Sequence, residues 1–149
     1  MGGVPNNRIL QYHTGNRRKA ELGGFELELN LTARESCQIR HTALEAARVI
    51  SNATIRNAAG VDGYSLKIHT YPHHVLRENK QATGAGADRV SMGMRKSFGR
   101  TVGTAARVKS GQKLITLRTS DEFASEAKEA LRKSSHKLPT PCNIVVNQK

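Results

Sequence analysis

The sequence predicts a single α+β domain, two helices packed on a mostly antiparallel or mixed sheet from which one long basic loop departs. Three observations carry that prediction. Several stretches alternate apolar and polar residues with a period of two, two alanine-rich stretches repeat at helical spacing, and residues 80–99 hold glycines and cations but few bulky groups. At 149 residues the chain is the size of one domain. A core of that size buries roughly 68 to 70% of the unfolded surface. Residues 1–149 therefore read as one unit, with 80–99 as a loop inside it.

Taken in order, Phe25, Leu27, Leu29 and Leu31 alternate with Glu26, Glu28, Asn30 and Thr32, a strand with one buried face and an acidic opposite face turned from any phosphate. Thr42 stands three residues before Glu45, the spacing of a capping box, and opens a helix that runs to about Ala59 and stops at Gly60. On a helical wheel Ala43, Ala46, Ala47, Ile50 and Ala53 share the packing side. Glu45, Arg48, Asn52 and Arg56 share the other, a polar row that is solvated or meets RNA. After an Asp62-Gly63 turn, Tyr64, Leu66 and Ile68 alternate in a second strand that Pro72 interrupts. Residues 74–78 resume extended character. Val102, Thr104, Ala106 and Val108 form a strand, Ser110-Gly111 turns the chain, and residues 114–119 are its expected hairpin partner. Thr119 and Glu122 repeat the capping-box spacing before a helix with Phe123, Ala124, Ala127, Ala130 and Leu131 on one side. Acids lead and bases trail along that helix, the order its dipole favours. Pro139 and Pro141 exclude more helix, and Ile144, Val145 and Val146 read as a final buried strand.

The chain carries 24 Lys and Arg against 12 Asp and Glu, a formal charge of +12, and 37% of its residues are hydrophobic, enough to build a core. Between Arg77 and Lys109 the cations Arg77, Lys80, Arg89, Arg95, Lys96, Arg100, Arg107 and Lys109 face only Glu78 and Asp88, a net of +6 that is half the excess. A second knot is Arg17, Arg18 and Lys19. Clustered cations of this kind suit phosphate oxygens, since each neutralised phosphate releases condensed counterions. Glycines at 84, 86, 93 and 99 let backbone amides approach phosphate, and arginine forks onto it or stacks on bases, so the loop reads as a binder of folded RNA by shape. Residues Lys80 to Met94 are expected to be mobile in the free protein and ordered only on RNA. With three Phe, three Tyr and no Trp, no aromatic run stacks successive bases, which argues against a sequence-reading single-strand binder.

Other function classes find less support. No apolar run approaches the roughly 18 to 20 residues that span a bilayer, and the first residues lack a secretory stretch, so a soluble cytoplasmic protein without membrane partners is expected. Cys37 and Cys142 have no companions at metal-ligand spacing and read as reduced thiols. His69, His73 and His74 lack a fourth ligand in sequence, so no metal and no cofactor are expected. Gly84-Ala85-Gly86-Ala87-Asp88-Arg89 keeps two glycines of a dinucleotide fingerprint but has Arg89 at the third, with no strong βαβ unit around it. An enzyme acting on RNA or nucleotides through Gly84 to Arg89 is the alternative function. Ser91 and Ser97 have no evident base partner, so catalytic residues and a small-molecule substrate are not expected.

The wording of residues 71–99 and 102–112 resembles the large-subunit ribosomal protein family sixteen in its archaeal and eukaryotic ten-e form, nearest to archaeal members. The likeness extends to Gly3-Val4-Pro5, to residues 44–48 and to residues 129–139, nearly the whole chain. Family members usually carry a longer basic extension ahead of Gly3, whose RNA contacts this sequence does not supply. The resemblance implies an α/β-hammerhead-like sandwich and a non-catalytic place in the large ribosomal subunit. There it binds ribosomal RNA near the A-site tRNA and the peptidyl-transferase centre, beside other large-subunit proteins, and supports translation and subunit assembly. The loop facing tRNA and the peptidyl-transferase centre would be Gln81, Ala82, Thr83, Gly84, Ala85, Gly86, Ala87, Asp88, Arg89, Val90 and Ser91. Arg77 and Lys80 stand at its base, and Arg89, Arg95 and Lys96 are RNA or tRNA contacts. An assembly or regulatory factor that only visits ribosomes is a third reading.

Overall fold

The computed structural model describes residues 12–70, 72, 74–78 and 100–148. Along the chain these form β1 (His13–Gly15), α1 (Arg17–Glu21), β2 (Leu27–Ala33), β3 (Cys37–Arg40), α2 (His41–Ala59), β4 (Tyr64–Ile68), β5 (His74–Glu78) and β6 (Arg100–Val108). They continue with β7 (Lys113–Thr119), a 3-10 turn (Asp121–Phe123), α3 (Ala124–Ser135) and β8 (Cys142–Gln148). The α+β class stands as predicted, and every strand pairing among the described residues is antiparallel. The strands divide into a five-stranded sheet, β1-β4-β7-β2-β8, and a three-stranded sheet, β3-β6-β5.

Register explains which residues the large sheet buries. Leu29 lies opposite Leu117 and Val146, Leu117 opposite Leu66, and Leu66 opposite Thr14, so one row of side chains crosses all five strands. Leu31, Ile115 and Ile68 form the next row of the same face. These leucines and isoleucines are fully buried with Leu44, Ala47 and Ile55 of α2 and Ala127, Ala130 and Leu131 of α3. Each contributes about 1.5 to 3 kcal/mol relative to exposure. The two helices meet through small residues: the Ser51 and Ser134 hydroxyls both donate to the Ala47 carbonyl, at 2.7 Å and 3.1 Å.

Several expectations are corrected. The strands on either side of Ser110-Gly111 are not a hairpin: β6 pairs with β3 and β5, β7 with β2 and β4. The turn instead runs beside the link from β2 to β3. Gly111 N donates to Ala33 O at 2.7 Å, Ala33 N to Gln112 O at 3.0 Å, and Ser110 Oγ to Arg34 O at 2.8 Å. Two neighbouring segments thus cross between the sheets together, which satisfies their backbone polar groups without a hairpin. The final strand is an edge, not a buried one: β8 pairs only with β2, and Val145 and Val146 are 44% and 40% exposed.

Neither capping box forms. α2 starts at His41 behind Arg40, which makes no side-chain cap, and the Thr119 hydroxyl donates to Gly63 O at 2.9 Å while Ser120 precedes the 3-10 turn. The stop at Gly60 is correct, with φ of +79° and its N–H on Arg56 O. The buried stripe of α2 is also rotated from the expected one. It consists of His41, Leu44, Ala47, Ser51 and Ile55, with Ala53 exposed and only Ala47 shared. The expected side of α3 does pack: Ala127, Ala130 and Leu131 are buried and Phe123 and Ala124 rest against them. Helix α1 has no sequence periodicity to announce it, being five residues long.

Candidate nucleic-acid interface

The first cationic knot forms α1. Asn16 caps it, its Oδ1 accepting from Lys19 N at 3.0 Å. Gly15 makes the entry possible. Its φ is +85°, and a Cβ there would sit 2.4 Å from the Tyr64 carbonyl oxygen. Arg17, Arg18 and Lys19 are all exposed, so the helix presents three cations to solvent within one turn. Arg17 Nε reaches Glu21 at 3.1 Å, and the Lys19 ammonium stands 4.9 Å from the Phe25 ring centroid. The first pair is exposed and the second sets an exposed ammonium against a buried ring, and both are weak enough for phosphate to compete.

The second cationic region is rooted in the small sheet. Arg107 is exposed opposite Gln38, and the exposed Arg40 lies two residues further along β3, on the face that Gln38 and Arg107 share. On the other side of β6, Arg77 faces Thr101 next to a register shift, and Glu78 faces Arg100. The ends of the basic stretch 79–99 are therefore neighbours across one strand pair. Lys80, Gln81, Ala82, Thr83, Gly84, Ala85, Gly86, Ala87, Asp88, Arg89, Val90, Ser91, Arg95 and Lys96 lie outside the described residues, as do residues 1–11 with Gly3-Val4-Pro5.

Charge also gathers where the sequence reading did not place it. On the face of the large sheet away from the helices, one row runs Glu28, Arg118, Ser65 and the next Asn30, Thr116, Lys67, His13. α1 overhangs these rows, and between them lies a cleft of about 510 Å³ lined by Tyr12, His13, Arg17, Lys67, His69 and Arg118 among others. Thus β2's polar face is not simply acidic. Arg118 Nη2 stands 3.6 Å from Glu28 Oε1, with Lys67 exposed on the adjacent strand β4. His13 Nε2 bonds Ser65 Oγ at 2.7 Å, and His69 Nε2 bonds Thr116 Oγ1 at 2.6 Å, whose hydroxyl donates to Asn30 Oδ1 at 2.7 Å. Burial, then Arg17 and Lys67, hold His13 below its ordinary pKa; burial, then Lys67 and Lys113, do the same to His69. Alternation in β4 marked Lys67 as outward, but nothing local showed that it would line a cleft with α1.

The polar row of α2 is mostly spoken for inside the protein. Arg48 forms a two-pronged bond to Glu45, at 2.9 Å and 2.6 Å, with side chains only 11% and 16% exposed. The Tyr64 hydroxyl donates to Asn52 Oδ1, which leaves Arg56 as the row's exposed member. Arg132 is engaged by Glu129. Both cysteines are free. The Cys142 thiol donates to Thr140 O at 3.3 Å, and burial followed by the neighbouring Cys37 raises its pKa, which suppresses the reactive thiolate. Among the described residues no three His, Cys, Asp or Glu side chains converge on a metal position, and no helix is long and apolar enough to cross a membrane.

A small basic α+β protein with cations spread over two sheets and a short helix is the kind that holds a polyanion. Residues 1–145 match the family described as ribosomal protein L16p/L10e, and the chain belongs to that family. It is similar to proteins named large ribosomal subunit protein uL16 from archaea. The one from Thermoplasma acidophilum is 55% identical over 99% of this chain and 82% of its own length. Those from Methanosphaerula palustris and Methanospirillum hungatei are 52% and 50% identical over 99% and 100% of this chain and 83% and 85% of theirs. The chain is accordingly a structural, ribosome-associated component and not an enzyme, which removes the reading of Gly84 to Arg89 as a catalytic phosphate loop.

Proposed function

We propose that this chain binds large-subunit ribosomal RNA close to the A-site tRNA and the peptidyl-transferase centre, where it helps position tRNA and supports subunit assembly in the cytoplasm. Residues 81–91 face the tRNA, Arg77, Lys80, Arg95, Lys96, Arg100 and Arg107 hold RNA at the root of that loop, and Arg17, Arg18 and Lys19 hold it elsewhere. One observation carries the reading. The segment between Glu78 and Arg100, with four cations against Asp88, leaves β5 and re-enters β6 at those directly paired residues, so the sheet anchors both of its ends together. Family membership supplies the polyanion, and other large-subunit proteins are the neighbouring partners.

The test is filter binding of the full chain to large-subunit ribosomal RNA across a salt series. If about six phosphates are held, the slope of log affinity against log salt is on the order of −4 to −5. Arg77→Glu and Arg89→Glu weaken binding more than Arg132→Glu, whose guanidinium is engaged by Glu129. Salt-indifferent affinity, or equal losses in all three variants, overturns the reading.

A further inference from the structure

The cleft beneath α1 has a composition the loop reading leaves unused. We infer that it is a separate subsite for one nucleotide unit of RNA, with the phosphate against Lys67 and Arg118 and the sugar or base edge hydrogen-bonded to His13 and His69. The inference rests on the RNA-binding reading and gives it a second contact, on a sheet that does not carry the loop.

Four features converge. The volume, about 510 Å³, lies within the roughly 300 to 1,000 Å³ of small-ligand pockets. Arg17 and Arg118 have carboxylate neighbours in Glu21 and Glu28, but Lys67 has no partner among the described residues and so offers a full charge to an incoming anion. Arg118 stands only 3.6 Å from a half-exposed Glu28, a loose pair that a phosphate can bridge. The depth of the cleft is polar without being charged. His13 and His69 each use Nε2 on a hydroxyl, so Nδ1 of each ring is left for a ligand. A lone sulfate-like anion would need only cations, and an acidic peptide would leave the ring nitrogens idle. A nucleotide uses both. The orientation of His69 is fixed from below by Thr116 and the buried Asn30, whose Nδ2 has no partner among the described residues.

The test titrates the full chain with adenosine 5′-monophosphate, inorganic phosphate and adenosine while the His13 and His69 ring signals are followed by NMR. The monophosphate is expected to shift both rings and to saturate, with the other two probes much weaker. Loss of one lysine–phosphate contact costs about fivefold in affinity at 0.15 M salt and about 0.7 to 0.9 in salt slope. Lys67→Gln should show that loss for ribosomal RNA and should also weaken the monophosphate, whereas Lys128→Gln on α3 should change neither. Lys67 is exposed, so its replacement leaves the fold intact. Inorganic phosphate shifting the rings as far as the monophosphate would reduce the cleft to an anion site and overturn the nucleotide assignment. Ribosomal RNA affinity unchanged in Lys67→Gln but lowered in Arg89→Glu would sink the cleft and leave the loop reading standing. No loss in either variant would sink both.

Discussion

At the scale of single residues, two glycines separate backbone conformation from crowding. Gly15 and Gly60 both have positive φ, +85° and +79°, but a Cβ on Gly60 meets nothing within 4 Å whereas one on Gly15 meets the Tyr64 carbonyl at 2.4 Å. Gly60→Ala is expected to cost about 2 kcal/mol, the strain of a backbone conformation that essentially only glycine occupies. Gly15→Ala adds a clash with the strand that α1 leans on and should cost more, about 3 kcal/mol, with α1 displaced. Urea unfolding midpoints decide the order; equal shifts would show that the β1–α1 corner yields freely. Gly60 was readable as a helix stop because the residues before it are helical. The demand on Gly15 was not, since it comes from a carbonyl on β4, 49 positions along the chain.

At the scale of elements, the contact between α2 and α3 turns on serines. The Ser51 hydroxyl bonds back within its own helix and so is buried without an unmet donor, while Ser134 spans the interface to the same carbonyl. Ser134→Ala should cost about 0.5 to 1.5 kcal/mol, one hydrogen bond. Ser134→Val adds a second branch at Cβ that blocks the approach of Ala47, and should cost about 1 to 3 kcal/mol with a lower thermal midpoint than the alanine variant. Identical midpoints would mean the helices separate easily. Self-satisfied serine also explains why the wheel reading of α2 missed its buried stripe. Alanine spacing put Ala43, Ala46, Ala47, Ile50 and Ala53 on the packing side, whereas Leu44, Ser51 and Ile55 set the face with Ala47, and Ala53 is exposed. Strands β2, β4 and β6 were legible from alternation, and β8 from the apolar run Ile144, Val145 and Val146. Their division into two sheets was not, because a Ser-Gly turn looks the same whether its strands pair or part. Likewise nothing in the sequence announced α1 or the pleated face beneath it, although Lys67 was visible as a polar residue of its alternating strand.

At the scale of the whole molecule, charge ties stability to pH. His13 and His69 have lowered pKa values, caused first by burial and then by Arg17, Lys67, Lys113 and Arg118, with Glu21 and Glu28 opposing. The unfolded chain, with histidines near 6.5, therefore takes up protons at higher pH than the folded one. Stability is full above that value and falls as the pH drops below it. Thermal midpoints at low salt should decline between about pH 7 and pH 5, and the His13→Asn, His69→Asn double variant should flatten that decline. An unchanged slope in the double variant would assign the decline to carboxylates instead.

The place of β2 in the large sheet bears on how the chain is made. It lies between β7 and β8, with Leu27 opposite both Thr119 and Gln148. A strand completed early in synthesis must wait for β8, more than a hundred residues later, before both of its edges are covered. Until then its leucines stand open to other nascent chains, and a topology so rich in distant pairings folds slowly. Timely shielding of that strand, by a chaperone or by RNA, is therefore a condition of the protein's birth as well as of its work.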